Sequence, residues 1–260
     1  MNKRSLNRVK TNEALVSAWI SQTTATYDEQ TSARISLMGT ALIADRSGAL
    51  YWPDEAMLIV SDLHLEKGSS FARFRQHLPP YDTMATLQQL SLMMGTYNPK
   101  RVLCLGDSVH DRAAWDRLSN EDRARLVGLC QSVEDWIWIA GNHDPDPPAG
   151  VPGTSLDTLR LQNITFRHEP GGELAEDEGE VAGHLHPAAR VIGKGGSTRR
   201  PAFAHDGTRL IMPAFGAYAG GLCLSAQPFK SLFERSTFKA SVCGRSRVFT
   251  VPGNRILGWR

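Results

Sequence analysis

Four short apolar runs in this chain each end on a cluster of metal-ligating side chains, and this repetition constrains the fold more than any other feature. Met57–Val60 leads into Ser61-Asp62-Leu63-His64, and Val102–Leu105 into Gly106-Asp107-Ser108-Val109-His110-Asp111. Trp136–Ala140 leads into Gly141-Asn142-His143-Asp144, and Glu180–Ala182 into Gly183-His184-Leu185-His186-Pro187. A lone His168 closes a fifth run, Ile164–Arg167. Runs of this length, three of them closed by glycine, read as buried strands. Open α/β sheets gather their ligands at the carboxyl ends of strands, so the pattern predicts one site built from several strand ends.

The rest of the chain fits that frame. Leu37–Ile43 reads as a further strand, Thr83–Met94 as an amphipathic helix and Trp115–Cys130 as another helix. Past Pro145, Leu159–Leu161, Arg190–Ile192, Ala202–Ala204 and Leu210–Met212 add short strands between glycine-rich or charged turns. Strands alternating with helices predict an α/β fold, β-rich in its second half, with residues 35–260 as a single domain. Residues 1–34 offer little to bury and are expected to be a mobile N-terminal extension in which Glu13–Ile20 forms a short helix. This basic, Ser/Thr-rich leader weakly resembles an organelle transit peptide. No apolar run approaches the ~18–20 residues of a membrane span, and no apolar stretch follows Lys3, Arg4, Arg8 and Lys10 to make a secretory signal. Cys104, Cys130, Cys223 and Cys243 form no C-x-x-C and no disulfide framework. Reduced thiols and no membrane point to a soluble cytoplasmic protein.

The ligand types are hard and borderline. Asp62 and His64, two apart on an extended segment, would project to one side and reach one ion, and His184 and His186 share that spacing. Asp107 can bridge two cations, and the Asn142 carbonyl is a neutral oxygen ligand. A set of Asp, His and Asn without Cys suits Mn2+, Fe or Zn2+ in a catalytic site with open positions. Gly106, Gly141 and Gly183 let the backbone turn where a Cβ would crowd the ions. Any one motif alone is more often incidental; the ordered set of strand ends is not.

The ordered set D-x-H, G-D-x-x-H, G-N-H-D, lone His and G-H-x-H resembles the calcineurin-like metallophosphoesterase superfamily. The resemblance implies a two-sheet sandwich flanked by helices (α/β/β/α) and two divalent metal ions at the strand ends. It places Asp62, His64 and His186 on one ion and Asn142, His168 and His184 on the other, with Asp107 bridging. It puts His110 and Asp111 behind the ligands, with His110 a departure from the Asp that the superfamily often has there. His143 would face the leaving group, oriented by Asp144 or by a backbone carbonyl. Over about residues 38–250, Leu50–Pro53, Asp62–Gly68, Leu78–Thr83, Arg167–Pro170, Gly183–Pro187 and Pro213–Tyr218 resemble the bacterial ligase-associated DNA-damage-response metallophosphoesterases. That likeness implies a manganese-dependent DNA endonuclease or phosphodiesterase in DNA repair, with a DNA ligase, a helicase and a second nuclease as partners.

Charge bears on the substrate. Residues 1–180 carry 17 basic and 25 acidic side chains, whereas residues 181–260 carry 12 basic and only 2 acidic. A cationic last third fits a polyanion. Lys67, Arg73 and Arg75 follow the first motif, and Arg190, Lys194, Arg199 and Arg200 follow the last, where they could grip phosphates flanking the reacting one. Phe71 and Phe74 could stack on a base, although packing is the commoner use of such residues. The alternatives are a phosphatase or phosphodiesterase for a small nucleotide-like molecule, and a non-catalytic scaffold of the same fold.

Overall fold

The apolar runs pair into two sheets whose strands alternate their side chains between layers. The computed structural model describes residues 31–73, 81–144, 150–193 and 196–258. The first sheet runs in chain order: β1 (Ala33–Leu37), β2 (Thr40–Ala44), β3 (Leu50–Trp52), β4 (Met57–Val60), β5 (Arg101–Leu105), β6 (Asp135–Ile139) and β7 (Thr154–Leu156). β1 to β4 form an antiparallel meander, and β4 to β7 are parallel. The parallel half needs crossovers, which helices α1 (Lys67–Arg73), α2 (Asp82–Tyr97), α3 (Ala114–Arg117) and α4 (Asn120–Gln131) supply.

The second sheet is built from β8 (Thr158–Leu161), β9 (Ile164–Arg167), β10 (Gly179–Ala182), β11 (Pro187–Gly193), β12 (Gly196–His205), β13 (Arg209–Ile211) and β14 (Leu222–Cys223), in the order β14-β11-β12-β13-β10-β9-β8. β12 also pairs with β15 (Lys239–Cys243), which pairs with β16 (Val248–Pro252). Helix α5 (Gln227–Leu232) lies outside this sheet.

Three apolar cores separate the layers. Met57, Ile59, Leu103, Leu105 and Ile139 of the first sheet meet Phe166, Val181, Phe203 and Leu210 of the second. Their neighbours Leu58, Val60, Val102 and Cys104 point the other way, onto Leu87, Leu90 and Met94 of α2 and Leu126 and Leu129 of α4. Ala202, Ala204, Ile211 and Ala240 face Phe229 of α5 and Phe233. The result is the expected α/β/β/α sandwich, with a single short helix as its outer layer among the described residues. No helix among them is long and apolar enough to cross a membrane.

Local departures from expectation have physical causes. Leu37–Ile43 is not one strand: Met38 and Gly39 have φ of 49° and 80°, which turn the apolar run into a hairpin. Trp115–Cys130 is two helices, broken where Ser119 caps α4 by accepting the Asp122 N–H at 3.0 Å. β1 starts at Ala33, so the last two residues of the expected extension lie in the sheet, and Val248 N–H donates to Thr31 O at 3.1 Å. Glu13–Ile20 lies outside the described residues.

Candidate metal centre

The parallel strands β4, β5 and β6 of one sheet and β9 and β10 of the other deliver all five motifs to one edge of the sandwich. The loops are stitched to each other within each sheet and between the two. His64 N–H donates to Asp107 O at 2.9 Å, Gly183 N–H to His168 O at 2.9 Å, and Phe215 N–H to Ser61 O at 2.8 Å.

Two clusters result: Asp62, His64 and His186, and Asp107, His168 and His184, each with its ligand atoms within 4.8 Å of one another. In the first, His186 Nε2 stands 3.0 Å from Asp62 Oδ1 and 3.3 Å from His64 Nε2. In the second, His168 Nε2 stands 3.4 Å from Asp107 Oδ1 and 3.2 Å from His184 Nδ1. His168 Nδ1 lies 3.9 Å from Asp62 Oδ1, so the clusters adjoin.

Five of these six residues have left-handed backbones: Asp62 (φ 54°), His64 (43°), Asp107 (46°), His184 (66°) and His186 (44°). Each such residue costs about 1 kcal/mol or more, and such strain concentrates at functional sites. Asp62 and His64 therefore meet through left-handed turns and not, as the sequence spacing implied, through extended chain, whereas His184 and His186 are divided between the two clusters. Two glycines permit the packing. A Cβ on Gly141 would overlap Asp107 N and Oδ1, and one on Gly183 would overlap Ser61 Oγ and lie 2.7 Å from Asp62 Oδ2. The crowding is between loops, and it includes carboxylate oxygens of Asp107 and Asp62.

The donor set fits cations. Asp62 Oδ1 is fully buried with no hydrogen-bond partner, although His186 Nε2 is 3.0 Å away, and His64 Nδ1 is likewise unpartnered. An orphaned buried carboxylate oxygen facing ring nitrogens is costly unless a positive charge joins them. His168 Nδ1 donates to Leu105 O at 2.9 Å, which turns Nε2 toward the cluster. Burial pushes His64 down to about 3. Burial would also lower His168, but its hydrogen bond to Asp107, reinforced by the charge of Asp62, raises it to about 9. Burial opposes ionisation of Asp107, yet His168 and the His143 N–H hold it well below the usual carboxylate range.

The remaining expected residues divide. Asn142 is exposed on the loop after β6, beside His143, whose N–H donates to Asp107 Oδ1 at 2.9 Å. His143 Nδ1 donates to His110 O at 2.7 Å, leaving Nε2 3.8 Å from Asp107 Oδ2. The backbone carbonyl, not Asp144, orients this ring. Asp144 is a correction: its Oδ2 accepts Ser108 N–H at 2.7 Å and Val109 N–H at 3.3 Å, so it braces the loop that carries Asp107. Burial, helped by Asp107, raises Asp144 to about 7. The His110 ring stacks between His143 at 5.6 Å and Phe71 at 5.9 Å. Asp111 turns away to a bidentate pair with Arg117 at 2.8 and 2.7 Å.

Lys67 is half-buried at the start of α1, near enough to depress both His64 and His110. Arg190 and Arg199 are exposed on β11 and β12, and Arg200 is partly buried. The side chain of Arg73, together with Phe74, Arg75 and Lys194, lies outside the described residues. Arg117 was missed by sequence reasoning. It joins Asp111 to Ser69 Oγ (3.0 Å) and Glu66 O, with no motif to mark it. Asp82 and Thr83 close the same corner, accepting Gly68 N–H at 3.0 Å and Glu66 N–H at 2.9 Å.

Residues 56–213 match the family model described as calcineurin-like phosphoesterase. The chain belongs to that family. Among solved structures it is similar to a Pseudomonas putida nuclease MPE, with 25% identity and a TM-score of 0.66, covering 85% of this chain and 100% of the other. No curated protein matches the sequence. The chain is thus a metallophosphoesterase-type hydrolase acting on phosphoester bonds, with two candidate metal sites.

Proposed function

We propose that this protein is a metal-dependent phosphodiesterase that cleaves DNA. The observation that carries the reading is the pair of adjoining three-residue clusters at an accessible sheet edge, with His143 exposed above Asp107. The nuclease named as its structural relative supports a nucleic-acid substrate. The cationic last third of the chain supports an extended one.

Asp62, His64 and His186 would hold one divalent ion. Asp107, His168 and His184 would hold the other, with Asn142 reaching it from the β6 loop and Asp107 shared. Such ions supply Lewis acidity toward phosphoryl oxygens and lower the pKa of water. Mn2+ is proposed first on the motif resemblance, and carboxylate, amide and imidazole without thiolate suit it, as they also suit Fe or Zn2+. His143 hydrogen-bonds or protonates the departing oxygen through Nε2, its ring fixed at Nδ1 by His110 O. Asp144 and the Asp111–Arg117 pair keep the β5 loop in register beneath it. A cytoplasmic setting in DNA repair, with a ligase, a helicase and a second nuclease as partners, extends the proposal on the motif resemblance alone.

The test is hydrolysis with Mn2+ of a nitrophenyl diester, the matching monoester, and single- and double-stranded DNA, beside Asp107→Asn. Diester and DNA cleavage lost at least ~10³-fold in the variant, about 4 kcal/mol of transition-state stabilisation, is the expected result. Activity confined to the monoester, or DNA cleavage that survives the substitution, would sink the proposal.

A further inference from the structure

The β11–β12 hairpin sets two arginines directly opposite each other. Its antiparallel register pairs Arg190 with Arg199, Ala188 with Pro201 and Ile192 with Ser197. Directly paired residues share a face, so both guanidinium groups project on the same side, with Cβ atoms roughly 5 Å apart. Arg200 pairs with Ala189 and points to the other face. β14 extends the first face, because Cys223 pairs with Ala188. Both arginines are among the charges that favour the Cys223 thiolate, which places them around that thiol.

Like charges set opposite one another repel. Both residues are exposed, and among the described residues neither has a carboxylate within ion-pair distance. Arg190 Nε has only Ser197 Oγ, at 3.2 Å. The last third of the chain has just Asp206 and Glu234 to offer, and Asp206 is occupied with the backbone of Thr208 and Arg209 at the far end of β12. A repulsive pair with no internal counter-charge is a surface made for an external anion.

Its position fixes which anion. β11 begins immediately after His186, and Leu222 N–H donates to His186 O at 2.9 Å, so the hairpin and β14 grow out of the metal centre. Arg190 is four residues further on, roughly 13 Å along an extended strand. A mononucleotide at the metals does not span that distance, whereas it matches about four rises of 3.4 Å along one strand of a helical nucleic acid.

We infer that Arg190 and Arg199 form a remote phosphate clamp that holds the backbone of a polynucleotide a few nucleotides from the scissile phosphate. The inference rests on the phosphodiesterase reading, since it names the part of the substrate this site takes beyond the reacting group.

Cys223 supplies a readout independent of catalysis, because the other three cysteines are buried. Without divalent ions, a single-stranded oligonucleotide should slow alkylation of Cys223, and AMP at the same phosphate concentration should not. In the same buffer, Arg190→Gln/Arg199→Gln should weaken oligonucleotide binding about tenfold and flatten the slope of log Kd against log salt by about 1.4, or 0.7 for each phosphate no longer neutralised. Arg245→Gln, an exposed charge on the β15–β16 turn, should change both by much less. An unchanged salt slope in the double variant, equal losses in Arg245→Gln, or equal protection by AMP would overturn the clamp. The diester assay separates the two ideas. Diester cleavage by a protein whose oligonucleotide binding ignores both arginines removes the clamp alone, and monoester activity alone removes the reading beneath it.

Discussion

Asp62, His64 and His186 take two side chains from the first sheet and one from the second, whereas Asp107, His168 and His184 take one and two. The second cluster is held before any ion arrives. His168 is anchored at Leu105 O and Asp107 at the His143 N–H, and the two side chains lie 3.4 Å apart with opposite charges. The first is not. Asp62 Oδ1 and His64 Nδ1 are buried without partners, and His64 is kept neutral by burial. In the metal-free protein a proton on His168 does part of the work of a cation within its own cluster, and reaches Asp62 of the other only from 3.9 Å.

The largest expected effect tests that contrast directly. With chelator present, His168→Gln leaves Asp107 buried without its charged partner, and loss of one member of such a pair costs about 3 kcal/mol. His64→Gln removes a neutral ring and should cost about 1 kcal/mol or less. Denaturant unfolding of both variants reads the difference. Equal losses would mean that the clusters are held alike. Both variants should lose bound metal, read by equilibrium dialysis with Mn2+.

His143 belongs to neither cluster but leans on both, its ring 5.5 Å from that of His64 and its Nε2 3.8 Å from Asp107. As leaving-group acid, its loss should lower kcat on DNA, whose departing oxygen is a poor alkoxide leaving group, about 10²-fold, near 2.7 kcal/mol, while KM and metal content stay close to those of the parent. Nitrophenolate needs the proton less, so His143→Ala should lose less on the nitrophenyl diester. A uniform loss across leaving groups, or loss of metal, would instead make His143 a prop for Asp107.

Much of this was legible because each ligand motif is local and sits at a strand end that apolar runs mark by themselves. What was not legible is instructive. Asp62 and His64 reach the same place by left-handed turns, a backbone state that spacing does not encode. Of the two groups offered to orient His143, Asp144 and a backbone carbonyl, the spacing could not choose, and the Asp144 carboxylate points instead to Ser108 and Val109 on another loop. Arg117 meets Asp111 only because α3 folds back over α1, and nothing local announces it. The hairpin at Met38-Gly39 hid inside an apolar run. β15 was missed because its apolar run is short and broken by Ser241, which is buried along with Ala240, Val242 and Cys243.

Ser241 matters to the last prediction, because it partners a buried histidine that has no metal role and so calibrates the two clusters. His205 Nε2 meets Ser241 Oγ at 2.9 Å, and burial, followed by the charge of Lys239, pushes His205 down to about 4. The folded protein keeps this ring neutral, while the unfolded chain protonates it near 6.5. The contribution is therefore complete above pH 6.5 and is lost as the pH falls toward 4, the loss amounting to about 2 kcal/mol at pH 5. Metal-free wild type should lose that much more stability between pH 7 and pH 5 than His205→Gln does. His168, whose folded pKa is raised, should show the opposite sign, its contribution fading as the pH climbs through 9. If His205→Gln and wild type fall in parallel, burial alone does not suppress an imidazole in this sandwich. The neutrality assigned to His64, and with it the contrast between the clusters, would then need another cause.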